Sequence, residues 1–117
     1  MHVKILPNVA INTRADANES VARFYQSLGF AGRSVAPEFT VLSPSAFGCY
    51  VVSWEPPPRE RAELCLQIET DDLPALRQRV IDGGGTIEFF RDDPNNPSKQ
   101  HMWFRDPGGI LVNAVSA

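Results

Sequence analysis

The sequence of 117 residues lacks the features that mark several large classes of protein. Lysine and arginine number 11 against 14 acidic residues, so the formal net charge is −3, and the basic excess that is typical of a nucleic-acid-binding protein is missing. No segment approaches the roughly 18 consecutive apolar residues of a transmembrane helix, and no N-terminal apolar run precedes a small-residue cleavage site. We therefore expect a cytoplasmic protein that binds neither nucleic acid nor membrane.

Cysteine and histidine are scarce, with two residues of each kind. Cys49 and Cys65 form no CxxC motif and have no histidine beside them, so they cannot by themselves build a zinc site or a disulfide framework. We predict that both are reduced residues within strands. The length and the hydrophobic fraction of 43% indicate one folded domain, residues 1–117, with one core.

The N-terminal half begins with a strand pattern and continues with a helix pattern. Apolar and polar residues alternate over residues 9–13, which indicates a strand. Asp16 is then a natural N-cap, and Glu19 completes a capping box. Gly29 suits the left-handed residue that ends a helix. Between these signals runs an apolar stripe with helical spacing, which comprises Val21, Phe24, Tyr25 and Leu28.

The C-terminal half repeats this design. Residues 64–69 alternate, and Asp71 or Asp72 caps the next helix, with Pro74 in its first turn. Residues 83–85 are glycines that end this helix. The two halves are in register, because Asn8 precedes Asp16 by the same number of residues as Glu63 precedes Asp71. Such an internal repeat indicates a duplicated module.

Each predicted helix is followed by three strand-like segments. They lie near residues 32–36, 39–42 and 47–54 in the first half and near 86–91, 101–105 and 110–115 in the second. Residues 92–97 read as a turn-rich loop, and residues 56–58 are prolines that form a stiff connector. The chain is therefore predicted to be an α+β protein of two βαβββ modules, residues 1–55 and 62–117. A sheet with helices on one face leaves its other face free to form a concave cleft.

Three segments resemble motifs of the vicinal oxygen chelate superfamily, the glyoxalase, bleomycin-resistance and extradiol-dioxygenase type. Phe24-Tyr25-Gln26-Ser27-Leu28-Gly29-Phe30 is similar to the FY…LGF helix ending of these proteins. Residues 105–112 resemble their DPdGn turn before the last strand, and residues 64–73 resemble their strand-to-helix junction. The motifs occur in the expected order over nearly the whole chain. The resemblance implies a glyoxalase/bleomycin-resistance-like fold with a concave cleft, and a homodimer.

The resemblance also points to metal-ligand positions, which lie on the first strand of each half and on the last strand. Those positions hold Asn8, Glu63 and Asn113 in this chain. Of the three residues, only Glu63 is a strong anionic ligand, because neutral amides bind divalent transition metals poorly beside imidazole or carboxylate. We therefore expect an incomplete metal site and no cofactor. A divalent metal held through Glu63 is the alternative.

Strand alternation extends this site. Asn12 shares a strand face with Asn8, and Gln67 shares one with Glu63. Trp103 precedes the Asp-Pro-Gly-Gly turn and is an aromatic candidate for stacking on a ligand. The predicted ligand-binding set is Asn8, Asn12, Glu63, Gln67, Trp103 and Asn113. The sequence leaves open whether His101 is a surface residue, a structural residue or a base.

Three functions follow from these residues and from the resemblance. The first is non-catalytic binding of a small planar or cationic molecule, a sequestration role of the antibiotic-resistance type that needs affinity but no transition-state stabilisation. The alternative is a metal-dependent glyoxalase-like lyase, isomerase or ring-cleaving dioxygenase, in which the metal polarises vicinal substrate oxygens. A third is a degenerate scaffold whose cleft serves a protein partner. We expect the first, with a small-molecule ligand and no assigned catalytic residue.

Overall fold

A computed structural model describes residues 1–52, 62–93 and 96–117. These residues form the order β-α-β-β-β twice, which confirms the predicted α+β fold of two βαβββ modules. The helices are α1 (Asn18–Ser27), which follows a short 3-10 turn (Ala15–Ala17), and α2 (Leu73–Asp82). The strands are β1 (Val3–Asn12), β2 (Ala31–Ala36), β3 (Phe39–Ser43), β4 (Gly48–Val52), β5 (Glu63–Thr70), β6 (Thr86–Asp92), β7 (Gln100–Arg105) and β8 (Leu111–Ser116).

Some sequence predictions fall outside this description. The proline connector at residues 56–58 lies outside the described residues, as do residues 94 and 95 of the turn-rich loop. Of the predicted module boundaries, residue 55 lies outside the described residues and residue 62 is the first described residue after that gap. Both boundaries stay a prediction. Within the described ranges, neither helix has the length and apolar character needed to span a membrane.

The chain divides into two compact units. The N-terminal unit is Pro7–Leu64, and the C-terminal unit combines Met1–Leu6 with Cys65–Ala117. In the N-terminal unit the strand order is β2-β3-β4-β1, with β1 and β4 parallel and the other pairs antiparallel. In the C-terminal unit the order is β5-β8-β7-β6, with β5 and β8 parallel and the others antiparallel. Each parallel pair joins the first and last strands of a βαβββ module.

The core of the N-terminal unit lies between α1 and one face of its strands. Ile11, Leu42 and Val51 pack there, with Val21 and Tyr25 of α1 against them. The other two residues of the predicted apolar stripe, Phe24 and Leu28, are exposed. The helix buries Asn18 and Ala22 instead, so its buried face is rotated from the predicted stripe.

The two ends of α1 differ in how well the sequence predicted them. Gly29 has a φ of +108°, as the helix-end prediction required. The predicted capping box at Asp16 and Glu19 is wrong, because Asp16 lies inside the 3-10 turn and the N-cap of α1 is Ala17, without a side-chain cap hydrogen bond. The Asp16 carboxylate lies 3.4 Å from the guanidinium of Arg14 instead.

The core of the C-terminal unit packs α2 against its strands. The Asp72 carboxylate accepts a hydrogen bond from the Ala75 amide at 3.0 Å, which confirms the predicted N-cap. Gly109 has a φ of +91°, as the turn before β8 requires. Leu73 and Leu76 of α2 pack there against Ile68, Met102, Phe104, Val112 and Ala114 of the strands.

This core determines what the opposite face of the C-terminal strands presents. Met102 and Phe104 of β7 point towards α2, so His101 and Trp103 point away from it, because side chains alternate along a strand. On β8 the same rule places Asn113 on the face opposite α2. Strand register pairs Trp103 with Asn113, so the polar and aromatic side chains of this face lie next to one another.

Candidate functional site

A hydrogen-bonded chain of three side chains lies on the face opposite α2. The Nδ1 atom of His101 is 2.9 Å from Asn113 Oδ1, and its Nε2 atom is 2.7 Å from Asp93 Oδ2. His101 and Asn113 are buried and Asp93 is half-buried. The imidazole therefore connects β7 to β8 on one side and to the loop after β6 on the other.

The chemistry of the partners determines the direction of these hydrogen bonds. Carboxylate and amide oxygens only accept, so His101 is the donor towards Asn113 and Asp93. Asp93 Oδ1 also accepts from the Asn96 amide at 3.0 Å. The cluster thus holds the β6–β7 loop against the strands.

The aromatic side chains of Trp103 and Phe89 lie beside this cluster of hydrogen-bonded side chains. The ring of Trp103 stacks on that of His101, with centroids 5.3 Å apart and an interplanar angle of 24°. Phe89 also packs against Trp103, with ring centroids 6.1 Å apart. Trp103 is only 2% exposed, whereas Phe89 is 36% exposed. Trp103 therefore forms the buried floor of this face, and Phe89 is the ring that reaches solvent.

A second polar pair lies on the N-terminal unit, on the face opposite α1. The Tyr50 hydroxyl donates to Asn8 Oδ1 at 3.2 Å, and the Tyr50 ring packs on Phe39 with centroids 5.0 Å apart. Gly48 lies beneath this hydrogen bond, and a Cβ there would collide with both Asn8 Oδ1 and the Tyr50 hydroxyl. Glycine in a strand interior often marks such a close approach.

The predicted ligand-binding residues divide between the two units. Asn8, Asn12 and Glu63 belong to the N-terminal unit, where Asn12 is buried beside Val52 and Glu63 is the half-buried first residue of β5. In the C-terminal unit the structure brings Trp103 and Asn113 together around His101. Gln67 is half-buried and pairs in register with Asn113.

Sequence reasoning missed two members of these clusters. Asp93 was read only as part of a turn-rich loop, although its position eight residues before His101 suits a contact across a hairpin. A β-bulge between Ile87 and Phe89 shifts that register, so the spacing alone could not identify the partner. Tyr50 was the other omission, and its only signal was its alternation with Cys49 and Val51 on a strand.

The residues at the superfamily's metal positions do not fit a metal centre in this chain. The side-chain oxygens of Asn8 and Asn113 already bond to protein donors, and both nitrogens of His101 face oxygen atoms. Neutral amide oxygens bind divalent transition metals poorly beside imidazole or carboxylate, and Glu63 is the one carboxylate of the three positions. Across residues 1–52, 62–93 and 96–117, no group of three His, Cys, Asp or Glu residues is placed to hold a metal ion.

The two cysteines do not supply an alternative site. Cys49 and Cys65 are reduced cysteines in β4 and β5, as the sequence predicted. Burial raises the pKa of the Cys49 thiol, which lowers the fraction of the nucleophilic thiolate at neutral pH.

The similarity of this chain to known proteins was found by comparing structures. No protein-family model matches this chain, and no curated protein matches its sequence. Among solved structures, a glyoxalase/bleomycin resistance protein/dioxygenase superfamily member from Vibrio splendidus 12B01 matches with a TM-score of 0.58 and 18% identity, covering 99% of this chain and 100% of the other.

Two enzymes match over the same chain. Methylmalonyl-CoA epimerase from Streptomyces coelicolor, in complex with 2-nitronate-propionyl-CoA, has a TM-score of 0.56 and 13% identity, with 99% of each chain covered. A catechol 2,3-dioxygenase has a TM-score of 0.50 and 18% identity over 100% of this chain and 43% of its own. The chain therefore has the vicinal oxygen chelate fold, as its motifs predicted, and these identities are evidence for the fold alone.

Proposed function

We propose that this chain binds a small planar or cationic molecule and sequesters it without transforming it. The proposal rests on the hydrogen bonds that the two amide side chains at the superfamily's metal positions make within the protein. Asn8 and Asn113 are engaged in hydrogen bonds with Tyr50 and His101. Such faces can hydrogen-bond and stack on a ligand, and sequestration requires nothing more.

The face opposite α2 offers the contacts that a planar ligand needs. Phe89 presents a partly exposed ring that is backed by Trp103, and aromatic pairs of this kind favour stacked or edge-to-face partners. Gln67 adds an amide beside Asn113. We assign Trp103, Asn113 and Gln67 to the ligand site, with Trp103 supporting the stacking ring from below.

The N-terminal unit carries the other predicted ligand-binding residues, which we propose as contacts on that unit's own face. Asn8 and Asn12 lie on the face opposite α1, since Ile11 between them packs towards that helix. Glu63 is a half-buried carboxylate at the start of β5 and would attract a cation. We further propose that the protein acts in the cytoplasm as a homodimer, because many closed assemblies of small domains are two-fold dimers.

The binding proposal is tested by thermal denaturation with ethidium, a planar cation, at increasing concentration. A ligand that binds only the folded state raises the melting temperature as its concentration increases. Phe89→Ala should remove most of this stabilisation. Phe90→Ala is a matched control, because Phe90 is 43% exposed on the same strand but faces α2, where Arg77 lies over its ring.

Trp103→Ala should abolish the stabilisation by ethidium, since it removes the support of the stacking ring. Equal responses of the Phe89 and Phe90 variants would contradict the placement of the site. If ethidium leaves the melting temperature of the wild-type chain unchanged, and a neutral planar compound such as acridone does so too, the sequestration proposal is wrong.

Calorimetric titration with Zn²⁺ and Ni²⁺ separates sequestration from the metal-dependent alternative. We expect no stoichiometric binding. Tight binding of one ion per chain that is lost in Glu63→Gln would instead support a glyoxalase-like enzyme, because Glu63 is the one carboxylate at the superfamily's ligand positions. The same titration on Glu69→Gln is the control, because Glu69 pairs with Lys4 at 3.4 Å and lies on the same strand.

A further inference from the structure

A polar groove runs along α1 in the N-terminal unit, on the side of the strands away from Asn8 and Tyr50. Its volume is about 340 Å³, near the lower end of the range of roughly 300–1,000 Å³ for small-molecule sites. Residues of α1 form one wall, and residues of β2 and β3 form the other. The residues on which the inference depends are Asn18, Arg23, Gln26, Gly32 and Thr40.

Asn18 forms part of the floor and has one hydrogen-bonding atom to spare. Asn18 is 4% exposed. Its Nδ2 atom donates to the carbonyl oxygens of Val51 at 3.3 Å and Glu38 at 3.5 Å. These two bonds fix the orientation of the amide. Its Oδ1 atom accepts no hydrogen bond from any residue that the structure describes. Solvent reaches this oxygen atom, and Asn18 lines the groove.

The hydroxyl of Thr40 is the second group in the groove that is available to bond to a ligand. The residue is 6% exposed, and strand register pairs it with Val51, whose side chain packs towards α1. Its hydroxyl makes no hydrogen bond within the described part of the chain, yet it is not sealed from solvent. Because solvent reaches this hydroxyl, a ligand in the groove can supply its hydrogen-bond partner.

The upper part of the groove is polar and has no net charge. The side chain of Gln26 lies across Gly32, and a Cβ on Gly32 would collide with the Gln26 amide. At the rim, Arg23 and Glu19 form an exposed pair at 3.7 Å. The site therefore offers an amide acceptor, a hydroxyl and a second amide, with the rim charges compensating each other.

From these groups we propose that the groove binds an uncharged polyhydroxylated molecule, a sugar or polyol, at a site separate from the ligand site described above. One hydroxyl of the molecule would donate to Asn18 Oδ1 and a neighbouring hydroxyl would exchange hydrogen bonds with Thr40. The Gln26 amide would bind a third. Adjacent hydroxyls on one carbon framework match this arrangement of paired donors and acceptors, and the buried methyl of Ala22 faces the non-polar side of such a framework.

The test is a titration of the ¹⁵N-labelled full chain with D-glucose and with myo-inositol, followed by ¹H–¹⁵N correlation spectra. Saturable shifts are expected for the side-chain amides of Asn18 and Gln26 and for the backbone amide of Thr40. Thr40→Val removes only the hydroxyl and should weaken binding by about tenfold, the usual effect of one lost hydrogen bond. Thr86→Val is the control, because Thr86 is exposed at the start of β6 in the other unit.

Gln26→Ala is a second variant that keeps the experiment informative if Thr40→Val folds poorly, since Gln26 is exposed. It should also weaken the response. Shifts that rise linearly with concentration, or that are equal in the wild-type and Thr40→Val chains, would overturn the proposal. A bound water detected at Thr40 without any saturable response to either polyol would overturn it as well. So would a stronger saturable response to glucose 6-phosphate than to glucose, which would mean an anion site.

Discussion

Replacing His101 by alanine removes the side chain that joins β7, β8 and the β6–β7 loop on one face of the C-terminal unit. The imidazole is buried and bonds to Asn113 at 2.9 Å and to Asp93 at 2.7 Å. Its loss leaves the buried Asn113 oxygen without the His101 donor. An unsatisfied buried acceptor costs about 1–3 kcal/mol, whereas the half-buried Asp93 can regain contact with water.

The ring also packs on Trp103, so its removal adds the loss of a buried aromatic contact. Together these terms predict that His101→Ala lowers the free energy of unfolding by about 3 kcal/mol. With a urea m-value of about 2 kcal/mol/M, the unfolding midpoint should fall by about 1.5 M. The measurement is equilibrium urea unfolding, followed by Trp fluorescence and by far-UV circular dichroism to test two-state behaviour.

The chain contains a matched control in its other histidine. His2 is exposed, and it bonds to Asp71 through its backbone, so His2→Ala should change the stability by less than about 0.5 kcal/mol. In a double-mutant cycle, Asp93→Asn should cost less in the His101→Ala background than in the wild type, since its partner is gone. A His101→Ala chain within about 1 kcal/mol of wild type would refute the structural role of this cluster.

Two further predictions concern the N-terminal unit. Gly48→Ala should lower the free energy of unfolding by about 1–2 kcal/mol, because the added Cβ displaces the Tyr50–Asn8 hydrogen bond. In urea unfolding, the effects of Gly48→Ala and Tyr50→Phe should be less than additive. Full additivity would contradict this explanation. In a Cys65→Ala chain, the remaining Cys49 thiol should react slowly with iodoacetamide near pH 8, because burial raises its pKa. Its rate should rise only at more alkaline pH, where the thiolate forms, and a rate equal to that of free cysteine at pH 8 would contradict the buried position.

The fold and the side chains of this chain bear on the proposed function in different ways. The solved proteins that share the fold include a methylmalonyl-CoA epimerase and a catechol 2,3-dioxygenase. In this chain, two of the three positions that would hold a metal in the superfamily carry amides whose oxygens bond to Tyr50 and His101. The proposal of sequestration rests on these side chains and not on the fold.

The sequence by itself determined the order of elements and several of their ends. The repeated strand-helix pattern, the Asp72 cap and the glycines at positions 29 and 109 were all readable, because each depends on residues that are adjacent along the chain. The same local reasoning was wrong for Asp16, where a 3-10 turn precedes the helix and moves the N-cap to Ala17.

Only the tertiary structure decided which polar side chains meet. His101 contacts Asn113 and Asp93 because strand register and the bulge before Phe89 place them together, and Tyr50 reaches Asn8 from 42 residues away in the sequence. A shift of one residue in either register would turn these side chains to the opposite face. Alternation along a single strand reveals which residues share a face, whereas their partners depend on how that strand pairs with its neighbours.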